Sequence, residues 1–171
     1  VTSRLDAPRR YDDMLLYRIN RLRAVGGGMV LRYCEGQFGI TRREWVMLAL
    51  LHDSGPISSS DLAGRADLDK SATSKAVTTL LDKGLVERTT RPGDRRYSLL
   101  TLSDKGRELH ARVLPVVEGI TRRILAGLSR DEVAVLDDML ARMQSEAEAL
   151  WAEAADLPRA DRRHGGTRGA G

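Results

Sequence analysis

Little in this sequence could build a cross-linked, metal-held or membrane-spanning protein. A single cysteine, Cys34, rules out an internal disulfide and suits a reducing cytoplasm. No apolar run approaches the roughly 20 residues needed to cross a bilayer. Residues 1–10 hold charges and a proline but no apolar signal core, so secretion is not expected. Histidine is equally sparse: His52, His110 and His164 lie far apart, and no Cys/His spacing suggests zinc. Gly26-Gly27-Gly28 falls inside a helical pattern with no strand before it, so it is not a phosphate-cradling loop. Neither catalysis nor a cofactor is therefore expected. Aromatic residues make up only 4% of the chain, with one phenylalanine, and the abundance of Leu, Val and Ala favours helix-on-helix packing over a β-sandwich.

What the chain does have is charge, and it is unevenly placed. The 171 residues carry a formal net charge of +4. From Lys70 to Arg96 seven basic residues stand against three acidic ones, so that short stretch alone nets +4. From Arg130 to Asp156 two basic residues stand among eight acidic ones, a net of −6. A polyanion is drawn to the first segment and repelled by the second. The length allows one domain, or one nucleic-acid-reading module with a dimerisation extension.

Periodicity and caps divide the chain. Residues 1–10 read as a flexible basic arm. From Tyr11 to Phe38 the apolar positions Leu15, Ile19, Leu22, Met29 and Tyr33 step by 4, 3, 7 and 4. Gly26 takes the skipped position, which predicts an amphipathic helix with a narrow seam. Thr41 and Glu44 form a capping box for a second helix through Trp45, Leu48 and Leu51, ended by Ser54-Gly55-Pro56. Ser58 and Asp61 start a short third helix reaching about Ala66. A tight Ala66-Asp67-Leu68 connection leads to Asp69, an N-cap for a helix from Lys70 to Lys83 that Gly84 closes. Leu85 to Thr89 and Tyr97 to Thr101 read as strands around an Arg91-Pro92-Gly93-Asp94 turn. Ser103 caps a long helix to about Ala126, which Pro115 should kink. Ser129 and Glu132 cap the last helix. There Val133, Leu136, Leu140, Met143, Ala147 and Leu150 step by 3, 4, 3, 4 and 3, the seam of a helix that packs on a partner. Residues 157–171 read as a disordered tail.

The expected fold is mainly α with a small β-hairpin wing. A winged helix-turn-helix occupies residues 41–102, with dimerisation helices at 11–40 and 103–156. In such a motif the second helix enters the DNA major groove. On the helix from Lys70 to Lys83, Thr73, Val77, Leu80 and Leu81 should face the core. That leaves Lys70, Ser71, Ser74, Lys75 and Thr78 outward, where short hydroxyls and lysines can meet phosphates and base edges. The hairpin adds Arg91, Arg95 and Arg96 near its tip, placed to enter the adjacent minor groove. Asp94 would be unfavourable facing phosphate, and is expected to pair with a wing arginine and orient it.

The run Asp69-Lys70-Ser71 into Leu80, then Gly84-Leu85-Val86, Asp94-x-Arg96 and Leu102-Ser103 followed by Gly106, resembles the signature of the MarR family of bacterial transcriptional regulators. The element order agrees from roughly Tyr11 to Trp151. Ser103 stands where threonine is commoner, and either residue caps a helix. The resemblance implies a cytoplasmic homodimer, nucleoid-associated when on DNA, held by intertwined terminal helices. Each subunit would present one winged helix to half of a palindromic double-stranded operator. Arg96 would be the minor-groove arginine, Asp94 its orienting partner, and the 70–78 face the major-groove reader. The implied function is a repressor released by a small aromatic or phenolic ligand.

Three glycines inside a helix cost roughly 1 kcal/mol each relative to alanine. Gly26, Gly27 and Gly28 therefore mark a kink, a close helix contact, or the floor of a cavity. In MarR-like proteins small anions lodge between the dimerisation helices and the winged helix. This makes Arg18, Trp45 and His52 candidates for lining such a site with the glycines, although Trp45 also reads as core and His52 as a surface or capping residue. Cys34 offers a second reading, an oxidation sensor, but Glu35 beside it opposes thiolate formation and a buried small hydrophobe fits better. A third reading is a helical dimer that serves only as a scaffold and does not bind DNA.

Overall fold

The computed structural model describes residues 3–66, 70–91 and 94–153, and leaves the side chains of residues 70, 91 and 94–97 outside that description. The chain divides into two compact units, Val1–Ile120 and Thr121–Gly171.

The first unit opens with a short 3-10 helix, Tyr11–Asp13, followed by α1 (Leu15–Gln37). The single helix expected from Tyr11 is interrupted at Met14, whose φ of −64° and ψ of 128° are extended. The cause is local. Asp13 is buried, and its Oδ2 accepts hydrogen bonds from the backbone N–H groups of Arg9 and Arg10, each at 3.1 Å. A side chain that ties up the backbone in this way competes with helix propagation. Next comes α2 (Arg42–Ser54), and its capping box forms as the sequence predicts. Thr41 Oγ1 accepts from the Glu44 amide at 3.1 Å, and Glu44 Oε2 accepts from the Thr41 amide at 2.6 Å. Gly55, at φ 68°, turns the chain out of α2. Ser58 then caps α3 (Ser59–Arg65).

The Ala66-Asp67-Leu68 connection beyond Ala66, and the Asp69 cap, lie outside the described residues. The chain continues as α4 (Lys70–Asp82), β2 (Val86–Arg91) and β3 (Asp94–Leu102). Both strands extend further toward the turn than the sequence predicts, and Pro92 and Gly93 of that turn are outside the described residues. The register runs from Val86 opposite Leu102 to Arg91 opposite Asp94, with an irregularity between Thr90 and Arg91. A third strand, β1 (Ile57–Ser58), pairs antiparallel with β3, so the sheet order is β1-β3-β2. At two residues β1 is too short to leave a periodic signal.

The core gathers Cys34 of α1, Trp45, Met47, Leu48 and Leu51 of α2, Leu62 of α3, and Val77 and Leu80 of α4. Leu100 and Leu102 of β3 and Val113 of α5 (Asp104–Leu125) complete it. Burying each large aliphatic side chain contributes about 1.5–3 kcal/mol, enough to hold a short helix such as α4 by one face alone. α5 remains one helix through Pro115.

In the second unit, α6 (Arg130–Glu153) is capped reciprocally by Ser129 and Glu132. None of its residues is buried, and Leu150 and Trp151 are 67% and 63% exposed. Leu128, Val135, Leu136 and Met139 line a shallow apolar groove there, rimmed by Asp131 and Glu132. Residues 157–171, expected to be disordered, lie outside the described residues.

Candidate nucleic-acid interface

Two unlike faces meet on α4. Thr73, Ala76, Val77 and Leu80 are buried, while Ser71, Ser74, Lys75 and Thr78 are exposed. The exposed four recur at i, i+3, i+4 and i+7, which puts them on one side of the helix. Lys70 is the first residue of α4, and its side chain is outside the described residues. Thr79 is exposed as well, a position the sequence reading did not single out. The hydroxyls of Thr78 and Thr79 donate to the carbonyls of Ser74 and Lys75, at 2.9 and 3.0 Å. With its proton committed, Thr78 presents an acceptor oxygen and a methyl group. Those suit the amino group of adenine or cytosine and the thymine methyl respectively. Lys75 adds a mobile cation for phosphate or guanine.

The far end of this helix is anchored tightly. Gly84, at φ 66°, allows a paired closure in which the Leu85 amide donates to Leu80 O and the Gly84 amide to Leu81 O, both at 2.9 Å. Leu85 O then accepts from the Ser103 amide at 3.1 Å. Ser103 Oγ donates to Gly84 O at 2.7 Å and accepts from the Gly106 amide at 3.0 Å. One hydroxyl thus closes α4 and opens α5. Gly106 is required here because a Cβ at that position would lie 2.0 Å from Leu85 O. Lys83 is part-exposed, but its ammonium is engaged by the protein. Its ammonium donates to Glu44 Oε2 and Oε1 at 2.9 and 3.0 Å and to Gly39 O at 2.9 Å. Of the seven basic residues from Lys70 to Arg96, this one is already committed within the protein.

The wing is described only by its backbone at the tip. Arg91 and Asp94 stand opposite each other at the end of the hairpin, and Arg95 and Arg96 follow on β3. The side chains of Arg91, Asp94, Arg95 and Arg96 are outside the described residues, as is the expected pairing of Asp94 with an arginine.

The second set of candidates is only partly drawn together. Trp45 is 6% exposed and belongs to the core. Its ring stacks on His110 of α5 at 5.2 Å, and His110 stacks on the exposed His52 at 4.0 Å, so His110 sits between the two. Burial, then the neighbouring His52, hold the His110 imidazole below its ordinary pKa against the opposing pull of Asp53. His110 is a residue the sequence reading missed, although 106, 110, 113 and 117 share one helix face. Arg42, also missed, lies on the same stripe of α2 as Trp45 and His52, at i, i+3 and i+10. A Cβ on Gly27 would stand 3.0 Å from Arg42 Nη1, while one on Gly28 would meet nothing within 4 Å. Gly27 therefore lies against the guanidinium of the half-buried Arg42, which no carboxylate pairs among the described residues. Gly26 is half-buried beside them. Arg18 is exposed, about 12 Å from Gly26 along α1 by helical rise, and no described hydrogen bond or ion pair joins it to the others. Cys34 is fully buried, and burial, then Glu35, push its thiol pKa up. Among the described residues no group of three or more His, Cys, Asp or Glu could hold a metal, and no helix is long and apolar enough to cross a membrane.

Known proteins of the same shape and pattern exist. The profile of the MarR family matches residues 40–97. The HTH-type transcriptional regulator YdgJ of Bacillus subtilis is 35% identical over 65% of this chain and 68% of its own. The HTH-type transcriptional repressor Rv2887 of Mycobacterium tuberculosis is 32% identical over 82% of this chain and 96% of its own. A crystal structure of Rv2887 in complex with p-aminosalicylic acid superposes with a TM-score of 0.63, at 30% identity over 77% of this chain and 98% of that one. A probable transcriptional regulator from Pseudomonas aeruginosa superposes at 0.66, with 28% identity over 78% of this chain and 99% of that one.

Proposed function

The chain belongs to the MarR family of transcriptional regulators, and from that premise we propose a repressor that holds a palindromic operator as a homodimer and releases it to a small aromatic anion. The observation that carries this reading is α4, a helix packed by one face and offering hydroxyls and lysine on the other. Ser71, Ser74, Lys75 and Thr78, with Lys70, read the major groove. Arg91, Arg95 and Arg96 of the wing enter the flanking minor groove, with Asp94 orienting Arg96. The uncovered apolar residues of α1 and α6, among them Leu16, Val25, Leu150 and Trp151, are the surfaces a second copy buries. Such a regulator works beside DNA in the cytoplasm and needs no catalytic step.

For the ligand, p-aminosalicylic acid on Rv2887 supplies the chemistry: a phenol and a carboxylate on one ring. Arg42 beside Gly27 offers the matching cation, and His52, with Arg18 further along α1, offers polar rim. Trp45 contributes through its stack with His110. A ligand releases DNA by binding better to the arrangement whose two recognition helices no longer match major-groove faces about 34 Å apart. The buried thiol of Cys34, with its raised pKa, favours this ligand reading over an oxidation sensor.

The test is fluorescence anisotropy with DNA from the gene's own upstream region against scrambled DNA at two salt concentrations, with and without p-aminosalicylate. Sequence-preferring, steeply salt-dependent binding by a dimer, weakened by the ligand, is the expected result. Weak binding without preference, on every candidate operator tried, would return the chain to a helical scaffold.

A further inference from the structure

We infer that Glu44 and Lys83 are a positioning pair that sets the pitch of α4 and so its sequence preference, an inference that rests on α4 being the DNA-reading helix. Lys83 adds to the basic charge counted over residues 70–96, but its ammonium is committed within the protein. Its three ammonium contacts go to Gly39 O and to both oxygens of Glu44. Glu44 is only 2% exposed, and its Oε2 also accepts from the Thr41 amide. A carboxylate so withdrawn from water needs this cation. The cation also sits just past the C-terminal end of α4, where the helix dipole favours positive charge.

The pair does more than join two residues. It fastens the end of α4 to the turn between α1 and α2, where Gly39 takes φ 65° and the Ile40 amide donates to Cys34 O at 3.0 Å. From the other side, Lys105 of α5 donates to Lys83 O at 2.8 Å and Ser103 to Gly84 O. α4 is therefore fastened by hydrogen bonds at its C-terminal end, while Ser71, Ser74 and Lys75 lie toward its N-terminal end, opposite the buried Thr73. The helix is about 20 Å long, so a pivot of ~5° at the anchored end moves the reading end by about 2 Å. That displacement breaks base-edge hydrogen bonds, whose donor–acceptor distances span only a few tenths of an ångström, whereas flexible lysines still reach phosphate.

The test begins with a duplex that the wild-type protein selects from a random library. Wild type, Lys83→Met, Glu44→Gln, the double variant and Lys83→Arg are titrated on it and on a scrambled duplex across a salt series, with thermal unfolding in parallel. Each single loss is expected to lower the preference for the selected duplex by about tenfold, with the double variant little worse than either. Affinity for the scrambled duplex and the salt slope should not move, and Lys83→Arg should keep most of the preference. If Glu44→Gln does not fold, Glu44→Asp, one methylene shorter, serves the same comparison. Three outcomes overturn the inference. A salt slope reduced by about one in Lys83→Met, with Glu44→Gln harmless, makes Lys83 a phosphate contact. Equal weakening on both duplexes, tracking lost stability, makes the pair merely structural. A wild type that selects no sequence removes the reading on which the pair depends.

Discussion

Gly106 is where the fold has least room. Replacing it with alanine places a methyl carbon 2.0 Å from Leu85 O, 3.0 Å from Leu85 C and 3.5 Å from Leu102 Cδ2. The two nearest atoms are backbone, so no side-chain rotation relieves the clash, and α5 must move away from the end of α4. That movement strains the Ser103 bonds to Gly84 O and Leu85 O, which close α4. Overpacking costs about 1–3 kcal/mol, and losing two of these hydrogen bonds costs about 1 kcal/mol each. Alanine gains back about 1 kcal/mol of helix propensity. The expected net loss is about 2–4 kcal/mol, read as a lower urea midpoint at unchanged slope. Gly64→Ala is the control, because a Cβ there meets nothing within 4 Å and the backbone is not strained. It should leave stability level or raise it by up to ~1 kcal/mol. A Gly106→Ala protein as stable as wild type would refute the close-approach argument.

Other regions of the chain give sharper readouts. His110 has a lowered pKa in the folded state, so the unfolded chain takes up the proton first as pH falls. Its stabilising contribution is complete above the ordinary imidazole value of 6.5 and is lost below it. Stability should therefore fall as pH drops through the ordinary imidazole value of 6.5, above the range in which most carboxylates titrate, and His110→Phe should flatten that fall in urea melts. Arg96→Ala should weaken operator binding by about 1–3 kcal/mol while leaving dimerisation and helix content intact; unchanged affinity in anisotropy would remove Arg96 from the minor groove. Cys34 should resist alkylation by iodoacetamide in the folded protein and react quickly in urea, and rapid native labelling would reopen the oxidation reading. Leu140→Glu on α6 should shift a dimer toward monomer in analytical ultracentrifugation, with the winged helix still folded.

The sequence announces those elements whose signals are local. Thr41 with Glu44, Ser58 with Asp61, Ser103 and Ser129 with Glu132 each mark a helix start that the structure realises, because a cap is written within four residues. Gly84 is legible for the same reason. β1 is not, since Ile57 and Ser58 become a strand only by pairing with Leu100 and Leu99, some forty residues further on. The break at Met14 is also missed, because it depends on Asp13 reaching back to two amides rather than on any helix-breaking residue.

The same distinction separates the two candidate sites. The outward face of α4 follows from helical period alone, so Ser71, Ser74, Lys75 and Thr78 can be chosen without a structure. The partners that hold α4 in place cannot, because Glu44 lies 39 residues from Lys83 and neither is unusual where it stands. Charge counting even misdirects. It counts Lys83 toward the basic charge of residues 70–96, whereas its ammonium is committed to Glu44 and Gly39 and leaves one fewer cation for phosphate. Arg42 is hidden in the same way, since only folding brings it over Gly27. If the α4 reading is right, residues that touch DNA should set affinity and salt dependence. Residues that touch only protein, with Glu44 and Lys83 foremost, should set which DNA is preferred.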